Sequence, residues 1–141
     1  MQMTNVRSID RTIHKTNEWL ADLQEILGTP ERQVAYTALR ATLHALRDRL
    51  PHTEAMQLGA QLPTLLRGMY YDGWTLRHTP VRARSQDEFL GIVAAEAANP
   101  NFDSEEAARG VFTLLQERIT AGEMADVRAN LPESIRALWD E

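Results

Sequence analysis

A chain of 141 residues, 43% hydrophobic and 25% charged, has the composition of a folded domain and can bury a core without staples. It has no cysteine, which excludes disulfides, thiol catalysis and cysteine-bound metals. The net charge of −5 disfavours a general nucleic-acid binder.

In chain order, Trp19, Leu20, Leu23, Ile26 and Leu27 form an apolar stripe at helical spacing, which predicts a first helix over 16–27. Gly28 stops it. Thr29-Pro30-Glu31 reads as a cap residue with proline at the first position of a second helix, whose face is Leu39, Leu43, Leu46 and Leu50. Ala55, Leu58 and Leu62 predict a short third helix. Pro63 lacks an N–H and pushes Leu62 out of the α region, so a sharp corner is expected there. A fourth helix starts at the proline and turns Leu66, Met69 and Tyr70 inward.

The same order then returns. Ser85-Gln86-Asp87-Glu88 is a capping box that opens a helix over 86–98. Asp103-Ser104-Glu105-Glu106 starts the next, faced by Val111, Phe112, Leu115 and Ile119. Its later start predicts that the second helix of the first half is about a turn longer. Thr120-Ala121-Gly122-Glu123 reads as another capping box, followed by Met124, Val127 and Leu131. Pro132 repeats the corner before Ile135, Leu138 and Trp139. No stretch alternates long enough to predict a strand.

The two halves match residue by residue. Glu18-Trp19-Leu20 answers Glu88-Phe89-Leu90 at an offset of 70. From the second helix onward the offset is 69: Arg49 answers Arg118, Glu54 answers Glu123, Gln61-Leu62-Pro63 answers Asn130-Leu131-Pro132, Arg67 answers Arg136, and Tyr70 answers Trp139. The expectation is an all-α fold of two tandem four-helix repeats, 1–74 and 85–141, joined by a connector at 75–84. Each unit alone has a thin core, so the two should pack as one pseudo-two-fold helical domain. Residues 1–84 carry 11 basic and 8 acidic side chains, and residues 85–141 carry 4 and 12. That asymmetry suits docking of the halves or head-to-tail self-association, although drift in charge between solvated helix faces accounts for it more simply.

The run Leu43-His44-Ala45-Leu46-Arg47-Asp48-Arg49-Leu50-Pro51, then Gly59-Ala60-Gln61-Leu62-Pro63, then Leu66-Arg67-Gly68-Met69-Tyr70-Tyr71-Asp72-Gly73-Trp74, resembles the bacterial "domain of unknown function 2267" family. The resemblance runs from about residue 16 to 139. It implies a small helical cytoplasmic protein and supplies no catalytic residues.

Residues present in both halves are expected to serve the fold. Arg49 and Arg118 suit the last turn of a helix, Glu54 and Glu123 suit the first turn of the next, and each pair can meet across the tight turn. Arg67 and Arg136 can donate to the carbonyls freed at the proline corner. What is unmatched is the end of the first half and the connector: Tyr71, Trp74, Arg77, His78, Arg82 and Arg84. Aromatic and arginine side chains together are the composition of binding hot spots. Stacking plus positive charge also suits a phosphate or single-stranded nucleic acid. Against both stands a purely structural role, with Trp74 sealing the junction and the arginines pairing with Asp87 and Glu88.

Asp10, His14, Glu18 and Asp22 share one helix face if the first helix reaches back to Ser8, a weak metal stripe without a matching second helix. A solvated charged face explains it better. No nucleophile elbow, phosphate loop or dinucleotide fingerprint is present. The first residues lack the apolar core of a secretory signal, and no apolar run nears the roughly 20 residues of a membrane span. The expectation is a soluble, cytoplasmic, non-enzymatic helical protein-interaction module. It needs no cofactor, binds a protein partner, self-associates or both, and has no membrane association. A phosphate or single-strand binder using Trp74 and the connector arginines, and a metal-dependent enzyme with carboxylate and histidine ligands, are the alternatives.

Overall fold

The computed structural model describes residues 3–140; Met1, Gln2 and Glu141, at the outer ends of the two expected repeats, lie outside the described residues. Eight α-helices and one 3-10 turn, with no strand, make up the described chain. They are α1 (Arg7–Leu27), α2 (Arg32–Arg49), α3 (His52–Ala60), α4 (Thr64–Tyr71), the 3-10 turn Leu76–His78, α5 (Gln86–Ala97), α6 (Ser104–Arg118), α7 (Ala121–Ala129) and α8 (Glu133–Arg136). No helix is long and apolar enough to cross a membrane.

α1 buries Thr16, Trp19, Leu20 and Leu23, one face at helical spacing. It begins nine residues before the expected start. The added turns are mostly exposed and polar, so no apolar stripe marks them. Asp10 supports them by accepting from the backbone N–H and hydroxyl of Thr4, at 2.9 and 2.7 Å. At the other end Gly28 takes a left-handed conformation (φ 69°), and Thr29 N–H reaches back to the Gln24 carbonyl. A Cβ would strain that turn.

α2 starts at Arg32, two residues later than Pro30 suggested. The Thr29 hydroxyl accepts from Glu31 N–H, so it stabilises the turn before the helix. From Ala38 to Leu46 α2 is buried nearly all round except at Arg40. Its alanines at 35, 38, 41 and 45 keep it thin, so helices approach from several sides. α2 packs against α1, α3, α4, α5 and α6. α1 also lies against α6. Gly110 on α6 faces Leu27 there, and a Cβ would overlap it.

The second half starts as its caps dictate. Ser85 and Glu88 form the reciprocal capping box, and Asp103 accepts from Glu106 N–H. Thr120 accepts from Glu123 N–H, but the Glu123 side chain does not return the bond: it turns into the α3–α7 contact. α2 has 18 residues against 15 in α6, as the later start of α6 predicted. Pro51, Pro63 and Pro132 hold extended backbone immediately before α3, α4 and α8. Phe112 of α6 stacks on Trp139, ring centroids 3.6 Å apart.

Candidate functional site

The connector is pinned to the first half. His52 Nε2 donates to the Thr79 carbonyl at 2.7 Å, Val81 N–H to the Asp48 carbonyl at 2.8 Å, and Arg49 Nε to the Ala83 carbonyl at 2.6 Å. Arg49 therefore anchors the connector, and the pairing with Glu54 expected across the turn is absent. Between these ties the side chains face water. Leu76 is 59% exposed, and Arg77 and His78 stand exposed on the 3-10 turn. Ala83 is buried, and the residues on either side of it, Arg82 and Arg84, are both exposed, as alternation along extended chain requires. None of Arg77, His78, Arg82 or Arg84 makes an ion pair or a side-chain hydrogen bond with a described residue. Glu88 is occupied with the N–H groups of Arg84 and Ser85, which hold its carboxyl below the usual range.

Tyr71 and Trp74 are not part of that surface. Both are half-buried against α3. The Trp74 ring lies edge-on to His52 at 5.7 Å and packs against Tyr71 at 5.5 Å. The Tyr71 hydroxyl donates to the Met56 carbonyl at 3.3 Å, and Tyr71 packs so close to Gly59 that a Cβ there would overlap its ring. Arg47, buried on α2, donates to the carbonyls of Tyr70 and Asp72, both at 2.8 Å, and holds the segment down. The aromatics thus plug the first half, and the cations lie beyond them.

The charged stripe does fall on α1. Its members do not converge on a common point: His14 meets Glu18 at 3.2 Å on an exposed face, Arg118 binds Asp22 and reaches Glu18 at 4.0 Å, and Asp10 serves Thr4. The bonds from Thr4 hold the Asp10 carboxyl below its usual range. Among the described residues no group of three or more potential ligands clusters for a metal. Arg67 binds the carbonyls of Gly59, Ala60 and Leu62, the groups left free at the proline corner. Arg136 makes no such bonds with the described residues.

Two clusters emerge that sequence reasoning did not join. Glu54 and Glu123 meet where α3 packs on α7, each with a buried carboxylate oxygen lacking a partner. Burial, then the hydrogen bond and negative charge of Glu54, push the Glu123 carboxyl up to about 8. The Glu123 carboxyl therefore favours its neutral, protonated form at neutral pH. Asn130 donates to Glu54 at 3.3 Å. Their matched positions were the available signal. The second cluster joins α2 to α5: His44 Nδ1 lies 2.8 Å from Glu96, His44 Nε2 lies 2.7 Å from the Met69 carbonyl, and Arg40 reaches Glu96 at 3.4 Å. Neither cluster includes a nucleophilic hydroxyl or thiol.

The class of protein defined by these features is an all-helical protein with a pinned cationic connector. The chain belongs to the DUF2267 family of uncharacterised conserved proteins, whose family model matches residues 16–138. Comparison with curated proteins finds no match.

Proposed function

We propose that the chain is a non-enzymatic protein-interaction module that presents the connector 75–84 to an acidic partner. The observation that carries this is the combination of Leu76, Arg77, His78, Arg82 and Arg84, all exposed, with the charged side chains lacking a partner among the described residues, on a backbone tied at Asp48, Arg49 and His52. A pinned loop loses little entropy on binding, and its arginines are free to pair. The setting we assign, bacterial and cytoplasmic, rests on the sequence resemblance alone. We read the scaffold as a tandem duplication with an approximate two-fold. In support, residues match at a fixed offset, α1 lies on α6 while α5 lies on α2, and Glu54 meets its counterpart Glu123.

The test is affinity capture from the protein's own cells with wild type and with the triple variant Arg77→Glu, Arg82→Glu, Arg84→Glu. All three side chains are solvent-exposed, so the far-ultraviolet circular dichroism of the variant should match wild type. A partner retained by wild type and lost by the variant is the expected result. An identical set of captured proteins would overturn the reading. The phosphate or single-strand alternative keeps the arginines but loses its stacking platform, because Trp74 is committed to Tyr71 and His52. It predicts salt-sensitive binding of a short oligonucleotide, abolished by the same variant.

A further inference from the structure

The groove that Tyr71 and Trp74 fill in the first half has an open counterpart in the second. At the offset of 69, His52 corresponds to Ala121, Met56 to Ala125, Gly59 to Arg128 and Arg67 to Arg136. Those four counterparts line one groove of about 700 Å³, open to solvent. Met124 and Gln116, the counterparts of Ala55 and Arg47, line it too. Of the first-half residues, His52, Met56 and Gly59 touch the plug, and the others tie the chain that carries it. Ala55 accepts from Tyr70, Arg47 holds the carbonyls of Tyr70 and Asp72, and Arg67 binds the Gly59 carbonyl.

The second half differs at the positions that correspond to the plug. Trp139 stands where Tyr70 does, and Asp140 stands where Tyr71 does. The Arg128 guanidinium lies 5.8 Å from the centroid of Trp139 and 3.2 Å from Asp140, so it covers the ring as Tyr71 covers Tyr70. Nothing among the described residues covers Ala121 and Ala125 as Trp74 covers His52. The open space is therefore the indole's counterpart, with an apolar floor and Arg128 and Arg136 at its rim. Two of the four arginines in an otherwise acidic half lie there.

We infer that this groove beside α7 docks an acidic peptide segment carrying a tryptophan, chemistry that the chain's own Tyr71-Asp72-Gly73-Trp74 supplies in the other half. The indole fills the apolar floor, and a neighbouring carboxylate pairs with Arg136. A volume of this size accommodates an indole with its flanking residues. Aromatic anchors with an arginine at the rim are the usual source of affinity in such pockets. The inference rests on the duplication reading, and it uses a different surface from the connector.

The probe is a synthetic peptide of residues 69–76, titrated into the isotope-labelled full chain and followed by NMR amide shifts. Expected are saturable shifts at Gln116, Ala125 and Arg136, lost when the peptide tryptophan is replaced by alanine. Arg136→Glu should weaken binding by about tenfold, the effect of reversing one rim charge. The triple connector variant should bind as wild type does. No shift at about a millimolar peptide would overturn the inference. So would shifts centred on the connector, or groove shifts that grow with protein concentration alone, which would make the occupant a second copy of the chain. A Trp74→Ala chain separates the two readings. Peptide shifts at His52 and Met56 in that variant, with a silent α7 groove, would keep the duplication and remove the docking site.

Discussion

Glu54 and Glu123 could each be assigned from sequence to the first turn of a helix, where a carboxylate favours the dipole. Their convergence could not, because capping position says nothing about which face meets which helix. The consequence is a pH dependence of definite sign. The Glu123 carboxyl has an ordinary value of 4.5 and is pushed up to about 8 in the folded protein, first by burial and then by Glu54, with Asp126 adding to it. Between those values the folded state holds a proton that the unfolded state has released, so stability falls as pH rises. The contribution is fully present below about 4.5 and lost by about 8. Glu123→Gln keeps the shape and the hydrogen bond to Glu54 without the charge. Thermal melts at pH 5 and pH 8 should show a clear fall in Tm for wild type and a much smaller one for the variant, which should be the more stable protein at pH 8. Equal falls would mean that Glu123 does not hold that proton. Asp10 and Glu88 are held low by their hydrogen bonds and titrate outside this window. Among the site residues, the exposure of the connector arginines was open to a sequence reading. The withdrawal of Trp74 was not, because an aromatic beside arginines is the signature of a hot spot and of a plug alike.

Helix ends were the most legible elements where a side chain bonds its own neighbours. Ser85 with Glu88, Asp103, Gly28 and the two proline corners all act within a few residues. The start of α1 was hidden because its first turns bury little and rest on Thr4 and Asp10 rather than on an apolar stripe. Thr29-Pro30 misled because its hydroxyl caps a turn instead of the helix. The α3–α4 hairpin offers a test in which propensity and packing oppose each other. Gly59 lies inside α3, where alanine ordinarily gains about 1 kcal/mol. Here a Cβ would meet the Tyr71 ring and the neighbouring Tyr70 edge. Overpacking of this kind costs about 1–3 kcal/mol, so Gly59→Ala should be destabilising by urea denaturation. In a Tyr71→Ala background the same change should become neutral or stabilising. That reversal of sign, read from a double-mutant cycle, is the signature of the plug. If Gly59→Ala stabilised both backgrounds, the aromatic segment would not occupy the groove.

At the scale of the whole molecule, the all-helical fold was legible because capping, corner and core residues recur at helical spacing along the chain. How the halves pack was not, because offset says nothing of which helix lies against which. The contacts interleave: α1 rests on α6, and α5 rests on α2. Arg118 of α6 binds Asp22 of α1, while Arg40 and His44 of α2 hold Glu96 of α5. α2 is buried nearly all round because α5 and α6 cover what α1, α3 and α4 leave open. A fragment of residues 1–84 would therefore carry a central helix stripped of its α5 and α6 contacts, with Arg40 and His44 left without Glu96, and a chain of that length has little core to spare. The fragment should show weak helical signal and no cooperative melt by circular dichroism. Mixing it with residues 85–141 should restore helix, because the missing contacts lie between the two pieces. In the full chain, Trp19 and Trp74 report the first half and Trp139 the second. Variants keeping Trp74 alone or Trp139 alone should give superimposable fluorescence and circular-dichroism transitions, the mark of one cooperative unit. A cooperative melt of the isolated fragment, or two separated transitions in the full chain, would instead make each half a domain with its own core and leave the interleaved helices as a docked interface.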